Sequence, residues 1–203
     1  MKYAVVTLSL LATTAIAQNV VPAPPNAGWR DVATADDRRR LRNRRDAWLA
    51  ALRDVRDGEH RGEIVRGGPL FEPDAALPNA APPPGDYRCR TIKLGAAQPG
   101  LLDYVAYPFF RCRIRQQRGR LQFIKLTGSQ RPVGAFFPDN SRRMIFLGTL
   151  VLGDESRALR YGRDRERDMI GVLERVGERR WRIAFPYPYY ESLLDVIELV
   201  PSR

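Results

Sequence analysis

Asp86-Tyr87-Arg88-Cys89-Arg90-Thr91-Ile92-Lys93-Leu94 and Tyr107-Pro108-Phe109-Phe110-Arg111-Cys112-Arg113-Ile114-Arg115 hold the chain's two cysteines, each inside an Arg-Cys-Arg triplet. Tyr87, Cys89 and Thr91 alternate with arginines, as do Phe110, Cys112 and Ile114, which is the period of a half-buried strand. Pairing the stretches as an antiparallel hairpin with Cys89 opposite Cys112 sets Arg90 opposite Arg111 and Arg88 opposite Arg113. A disulfide is then within reach, because a non-hydrogen-bonded antiparallel pair brings its Cα atoms to roughly 4.5 Å. Arg88, Arg90, Arg111, Arg113 and Arg115 crowd the other face. Like charges set opposite each other destabilise a sheet. Such a face either meets open solvent, where salt screens it, or holds an anion by bidentate guanidinium contacts.

Outward from this pair, the chain reads as strands separated by turns. Leu121 to Thr127, Pro132 to Phe137, Arg143 to Leu152, Asp168 to Val176, Arg179 to Phe185 and Ser192 to Val200 are the candidates, with Arg157 to Tyr161 as a short addition. Pro138-Asp139-Asn140-Ser141, Gly153-Asp154-Glu155 and Gly177-Glu178 supply turns. About eight strands with no strong helix between them imply antiparallel meander connections. The expectation is a mainly β domain over residues 85–203, an antiparallel up-and-down barrel of lipocalin-like kind preceded by one α-helix. A two-sheet β-sandwich is the alternative. Closure removes sheet edges, and a barrel of this size encloses side chains or one small ligand.

Upstream, residues 1–17 have the three parts of a secretory signal peptide: Lys2, the apolar run Tyr3 to Leu11, and Ala15-Ile16-Ala17 as a small-residue cleavage site. The apolar run is too short for a comfortable permanent span. Cleavage near Ala17 would leave a periplasmic or secreted protein, in which two cysteines are expected to bridge; buried free thiols are the alternative. Residues 18–33 read as an extended, proline-rich linker. Residues 34–57 read as a basic amphipathic helix with Thr34 as N-cap, Asp36 and Asp37 in the first turn, and Leu41, Trp48, Leu52 and Val55 on one stripe. This helix packs by one edge on the barrel, makes a peripheral contact with an anionic membrane, or docks a partner. Residues 58–84 read as a Pro/Gly-rich linker carrying His60, the only histidine, as an exposed loop residue.

The chain has 34 basic residues against 23 acidic, and only Lys2, Lys93 and Lys125 are lysines. So skewed a ratio reflects coding bias as much as selection for arginine. The positive balance attracts anionic surfaces, and with export the expected partner is an envelope protein or an anionic ligand, not a specific nucleic acid. One histidine supports no multi-histidine metal site and leaves any Ser-His-Asp triad dependent on a linker residue. No phosphate-cradling glycine loop is present, and no cofactor is expected. Ser129, in Thr127-Gly128-Ser129-Gln130-Arg131-Pro132, lacks the nucleophile-elbow pattern and reads as a turn residue. Glu191 and Asp195 share no simple strand face with Glu198. Pro186-Tyr187-Pro188-Tyr189-Tyr190 is an aromatic turn, a rigid connector or a ligand rim.

Four stretches together carry a family resemblance: Gly85-Asp86-Tyr87-Arg88-Cys89-Arg90, Phe110-Arg111-Cys112-Arg113, Thr127-Gly128-Ser129-Gln130-Arg131 and Glu191-Ser192-Leu193-Leu194-Asp195. Through them the chain resembles the domain of unknown function 4893 family of small exported bacterial proteins. The resemblance implies an envelope location and one shared architecture, and brings no catalytic residues. The expected function is noncatalytic binding or interaction, not enzymatic, with the anion patch Arg88, Arg90, Arg111, Arg113 and Arg115 as ligand site. Two alternatives stand: a protease-inhibitor-like barrel presenting Gln18 to Trp29, by fold-level analogy, and a carboxylate- or serine-dependent hydrolase using Glu191 or Ser129.

Overall fold

Gly85–Ala96 forms one long strand, β1, in the computed structural model, which describes residues 20–202. The signal-peptide reading of residues 1–17 lies outside the described residues. Eight strands follow: β2 (Tyr104–Ala106), β3 (Phe110–Gln117), β4 (Arg120–Lys125), β5 (Gln130–Asn140), β6 (Arg143–Leu152), β7 (Asp168–Gly177), β8 (Arg180–Pro186) and β9 (Ser192–Pro201). All pairings are antiparallel, in the order β1-β3-β4-β5-β6-β7-β8-β9, and β9 returns to pair with β1 from Tyr87↔Pro201 to Ala96↔Ser192. The sheet therefore closes into the expected eight-stranded barrel, and the sandwich alternative falls. β2 is an extra strand, paired to Ile92, Lys93 and Leu94 on the edge of β1 that β3 leaves after Cys89. The second opening stretch accordingly becomes a strand only at Phe110, and Arg157 to Tyr161 is irregular backbone leading into a turn rather than a strand.

The period-two alternation fills the interior with Tyr87, Phe123, Phe136, Phe146, Trp181 and Phe185 among others. Phe146 meets Phe123, Phe136 and Phe185 edge-on at centroid distances of 6.1, 5.7 and 5.5 Å. Gly134 and Gly148 face each other across β5 and β6 beneath this ring, and a Cβ on either would lie 2.6 Å from Phe146 Cζ. Aromatic rings occupy the middle of the barrel, which is not hollow there.

The opening hairpin is registered two residues away from expectation: Tyr87 opposes Cys112 and Cys89 opposes Phe110. A slip of two keeps every side chain on its face, so both sulfurs still point inwards and bridge on the diagonal, with Cα atoms 5.9 Å apart. The slip also reduces the charge clash from two opposed arginine pairs to one. Arg113 falls opposite Asp86, and its Nε donates to Asp86 Oδ1 at 2.6 Å; neither expected arginine pair forms, and Arg88 now stands opposite Arg111.

Upstream of the barrel the expected single helix is four: α1 (Trp29–Val32), α2 (Ala35–Arg42), α3 (Arg44–Asp57) and α4 (Arg61–Gly67), followed by a 3-10 turn over Gly68–Phe71. Thr34 caps α2 as expected, its Oγ1 accepting from the Asp37 amide at 3.2 Å. The helix breaks at Asn43 because its two halves cover different walls: Leu41 packs with β5 to β7, while Ala47, Trp48, Ala51, Leu52 and Val55 pack on β1, β8 and β9. One straight rod cannot follow that curvature. The stripe is buried against the barrel, and Leu49 is the large apolar side chain that residues 34–57 leave exposed. Neither linker reading holds. Val20, Val21 and Trp29 are buried on the barrel wall, as are Ile64, Leu70 and Phe71.

Arg182 fixes this outer layer. Pointing out of the barrel on β8, it is 0% exposed. Its guanidinium lies 4.7 Å from the Trp48 ring centroid. It donates to Glu174 Oε2 at 2.6 Å and to the carbonyls of Pro69, Leu70, Glu72 and Pro73 at 2.7–3.2 Å. Arg182→Ala should destabilise the fold by about 3–5 kcal/mol in urea titration, because it strands the Glu174 carboxylate and several carbonyls without donors. A loss below about 1 kcal/mol would contradict this account. The disulfide spans a sequence separation of 23 at the last β1–β3 rung. Its reduction, or replacement of both cysteines by alanine, is expected to cost about 3 kcal/mol on the chain-entropy model, seen as an earlier urea midpoint.

Candidate functional site: the barrel mouth

Where β1 and β4 end and β5, β7 and β9 begin, the inward-facing side chains change from aromatic to polar. Thr91 and Lys93 on β1, Lys125 on β4, Gln130 on β5 and Asp195 on β9 meet there. A cavity of about 40 Å³ opens among Thr91, Lys93, Gln130 and Asp195, walled by Pro132, Leu150, Met169, Phe185 and Ile197. Its rim is Arg40, Glu166, Asp168, Tyr189 and Tyr190, so the aromatic turn is a rim as well as a connector. At 10–15 Å³ per water-sized centre, it holds roughly three or four such groups.

Lys93 is 4% exposed and Lys125 5%, and their surroundings differ. Lys93 Nζ lies 3.2 Å from Glu191 Oε2 and 3.5 Å from Asp195 Oδ2. Burial opposes its charge, but those carboxylates outweigh it and hold the amine above its ordinary range. Glu191 reaches in from a left-handed backbone at φ 68°, a conformation that costs a non-glycine residue roughly 1–3 kcal/mol. Ser192 Oγ donates to Asp195 Oδ1 at 2.6 Å, and burial pushes the Asp195 carboxyl upward.

Lys125 stands near Lys93 but outside the cavity's lining. Its Nζ donates to the Gln130 carbonyl at 2.8 Å and stands 4.2 Å from the Phe110 ring centroid. No carboxylate pairs with it among the described residues. Burial first, and then the positive charges of Lys93 and Arg131, push its amine down to about 8.

The rim is built by α2 and two loops. Arg40 pairs with Asp37, donates to the Asp168 carbonyl at 2.8 Å and lies 5.0 Å from the Tyr189 ring centroid. The buried Tyr161 hydroxyl donates to the other Asp37 oxygen. The Asp168 carboxyl accepts from the Gly162 amide at 2.8 Å; burial and the charge of Asp37 push it up to about 6.

Three of the five arginines of the expected patch, Arg88, Arg90 and Arg113, are taken up by separate partners, while the buried Nε of Arg115 has no hydrogen-bond partner. Arg90 and Arg180 share Glu198, at 2.5 and 2.6 Å. Arg113 holds Asp86, and Arg88 and Arg90 lie 4.6 and 5.1 Å from the Phe109 ring centroid. Arg111 and Arg115 lie further along the same outer wall, with no focus common to all five. Glu198 points outward, away from Glu191 and Asp195, as its strand position indicates. Ser129 sits in the β4–β5 turn, where its carbonyl accepts from Gly153. His60 is not a free loop residue: it precedes α4, stacks on Tyr104 at 5.0 Å and lies 3.3 Å from Asp103, away from the mouth. Sequence reasoning missed the lysines as site residues. Their scarcity among so many arginines was the available signal.

These features define a closed antiparallel barrel with a helical cover on its outer wall and one small polar chamber at its mouth. A family model described as domain of unknown function (DUF4893) matches residues 29–199, and the chain belongs to that family. The match starts with α1 and ends in β9, so the helical cover is part of the family unit. No curated protein and no solved structure matches the chain.

The two amines should separate by titration. In lysine-¹⁵N-labelled protein, the Lys125 Nζ resonance is expected to move with a midpoint near 8, while that of Lys93 stays protonated beyond the ordinary lysine range. At this residue the unfolded chain then binds more protons than the folded one between about pH 8 and 10.5, so the Lys125 contribution to stability rises with pH across that window. The buried tyrosines Tyr87 and Tyr161, held protonated in the fold, act the other way as the pH nears 10. Lys125→Met should flatten the rise; an unchanged slope would remove the assignment.

Proposed function

We propose that the protein is a noncatalytic, exported binding protein whose barrel mouth seats the carboxylate end of a short organic acid. The observation that carries this reading is that Lys93 and Lys125, the described chain's only lysines, turn into the same end of the barrel, and that Lys125 has no carboxylate partner among the described residues. An anion entering beside Gln130 meets Lys93 on the cavity wall and is drawn by Lys125, which donates to the Gln130 carbonyl next to the lining. Its aliphatic part lies along Leu150, Met169 and Ile197 under Tyr189 and Tyr190. The reading requires no cofactor. Export is supported by the Cys89–Cys112 bridge, which oxidising compartments favour, and by the signal-like start of the sequence.

Binding is favoured over hydrolysis because the Ser192 hydroxyl is taken by Asp195 and Glu191 by Lys93, with no histidine beside either. A protease-inhibitor role has less support. Arg120 grips the carbonyls of Ala23, Pro24, Pro25 and Ala27, and Val20 and Val21 are buried, so the segment offered to a protease would first have to detach.

Calorimetric titration with acetate, propionate and butyrate tests the reading. Binding is expected at pH 6.5, weakening as the pH passes 8 and Lys125 loses its charge. Lys125→Met should weaken it by about tenfold or more, the usual worth of a hydrogen bond to a charged group. Retention of full affinity by that variant, or equal affinity at pH 6.5 and 9.5, would sink the proposal.

A further inference from the structure

Toward the opposite end of the barrel, α1 and α2 stand off from β5, β6 and β7 and leave a cleft of about 410 Å³. Trp29 and Leu41 are part of an apolar floor; Arg30, Arg38, Arg42, Arg44 and Arg143 surround it, with Asp139 as the one carboxylate among the lining residues. That carboxylate is already engaged. Asp139 accepts from Trp29 Nε1 at 2.9 Å and lies 3.7 Å from Arg30. Arg38 is a structural member of the wall, donating to the carbonyls of Arg30 and Ala33.

The remaining three arginines are poorly compensated. Arg143 reaches its nearest carboxylate, Glu174, only at 4.0 Å, and Glu174 is held by Arg182. The buried Nε of Arg143 has no hydrogen-bond partner. Arg44 makes one long contact, 3.4 Å to the Leu41 carbonyl; burial and the charge of Arg143 pull its guanidinium below the ordinary range. Arg42 is exposed at the entrance. Convergent positive charge over an apolar floor costs the empty protein stability, and an entering oxyanion would remove that cost.

We propose that this cleft binds a small organic phosphate, with its phosphate on Arg42, Arg44 and Arg143 and its apolar body over Trp29 and Leu41. Three guanidinium groups offer more donors than the two oxygens of a carboxylate accept, whereas a phosphate monoester presents three oxygens and nearly two charges. The cleft is within the size range of small-molecule sites and larger than a bare phosphate needs, so the ligand carries an organic part. This site is separate from the mouth and does not depend on the reading given to it.

Phenyl phosphate, with inorganic phosphate and benzoate as comparisons, is the probe for calorimetry on the purified protein. Phenyl phosphate is expected to bind at least about tenfold more tightly than either comparison. Arg44→Gln with Arg143→Gln should reduce that affinity by at least about tenfold, while the thermal midpoint of the empty variant stays level or rises because the repulsion is gone. Arg42→Glu, an exposed change, should weaken binding similarly and guards against a misfolded double variant. Lys125→Met should leave phenyl phosphate binding as it was. Absence of phenyl phosphate binding, wild-type affinity in Arg42→Glu, or loss of binding in Lys125→Met instead would each overturn the proposal.

Discussion

Barrel closure rests on β1 being paired along both edges at once. One edge meets β9 over nearly the whole strand, from Tyr87 to Ala96. The other is divided: β3 takes Gly85 to Cys89, and β2 takes Ile92 to Leu94. An eight-stranded cylinder packed with rings has no slack. The fork therefore decides where the wall is continuous and where it opens. Below it, Tyr87 and Cys89 join the aromatic core. Above it, Thr91 and Lys93 face a chamber. The disulfide lies at the point of division and holds β3 against β1 where the backbone ladder gives out.

The inner face of this barrel was legible because alternation is the direct consequence of strand geometry. The outer face was not, although it left a trace. Arg143 to Leu152 is apolar on both faces, the pattern of a strand covered on both sides, and Ile145 and Leu147 are indeed buried beneath α1 and α2. Such a strand requires a second layer, and the only chain available lay upstream, in the stretches that read as linkers. Their proline and glycine content concealed short helices whose stability comes from the wall they cover rather than from propensity. Trp48, Leu70 and Phe71 mark that wall.

Register and site were harder to read for different reasons. Nothing in a long connection between two strands fixes their offset, so cysteine-opposite-cysteine was the simplest choice. The diagonal register lets Asp86 meet Arg113 and leaves one opposed arginine pair, Arg88 and Arg111, in place of two. A pairwise charge term of this kind is small at an exposed position, but it acts in the direction of the observed register. The lysines were hidden by the opposite circumstance. Among 34 basic residues, one cation on each of two strands looks ordinary. Their residue type sets them apart, but their burial marks them as site residues, and burial is a property of the closed barrel. A compact ammonium on a flexible stem fits a narrow mouth, where a planar guanidinium would need a wider one.

The arginine excess itself acquires a physical meaning once its contacts are followed. Arg182 serves four carbonyls of the segment over Pro69 to Pro73, Arg120 serves four more near the start of the described chain, and Arg131 joins the carbonyls of Gly128, Gly153 and Glu155. Irregular backbone packed on a barrel has acceptors that no ladder satisfies, and a guanidinium with five donors can satisfy several at once. Arginine is thus the mortar between the barrel and its cover. Measured against that use, Arg44 and Arg143 are conspicuous: they are drawn together on the same outer wall, yet neither grips a loop. α2 stands between the two places where cationic groups are left short of partners, sending Arg40 to the mouth and Arg42 to the cleft. The same short helix therefore bounds both candidate sites.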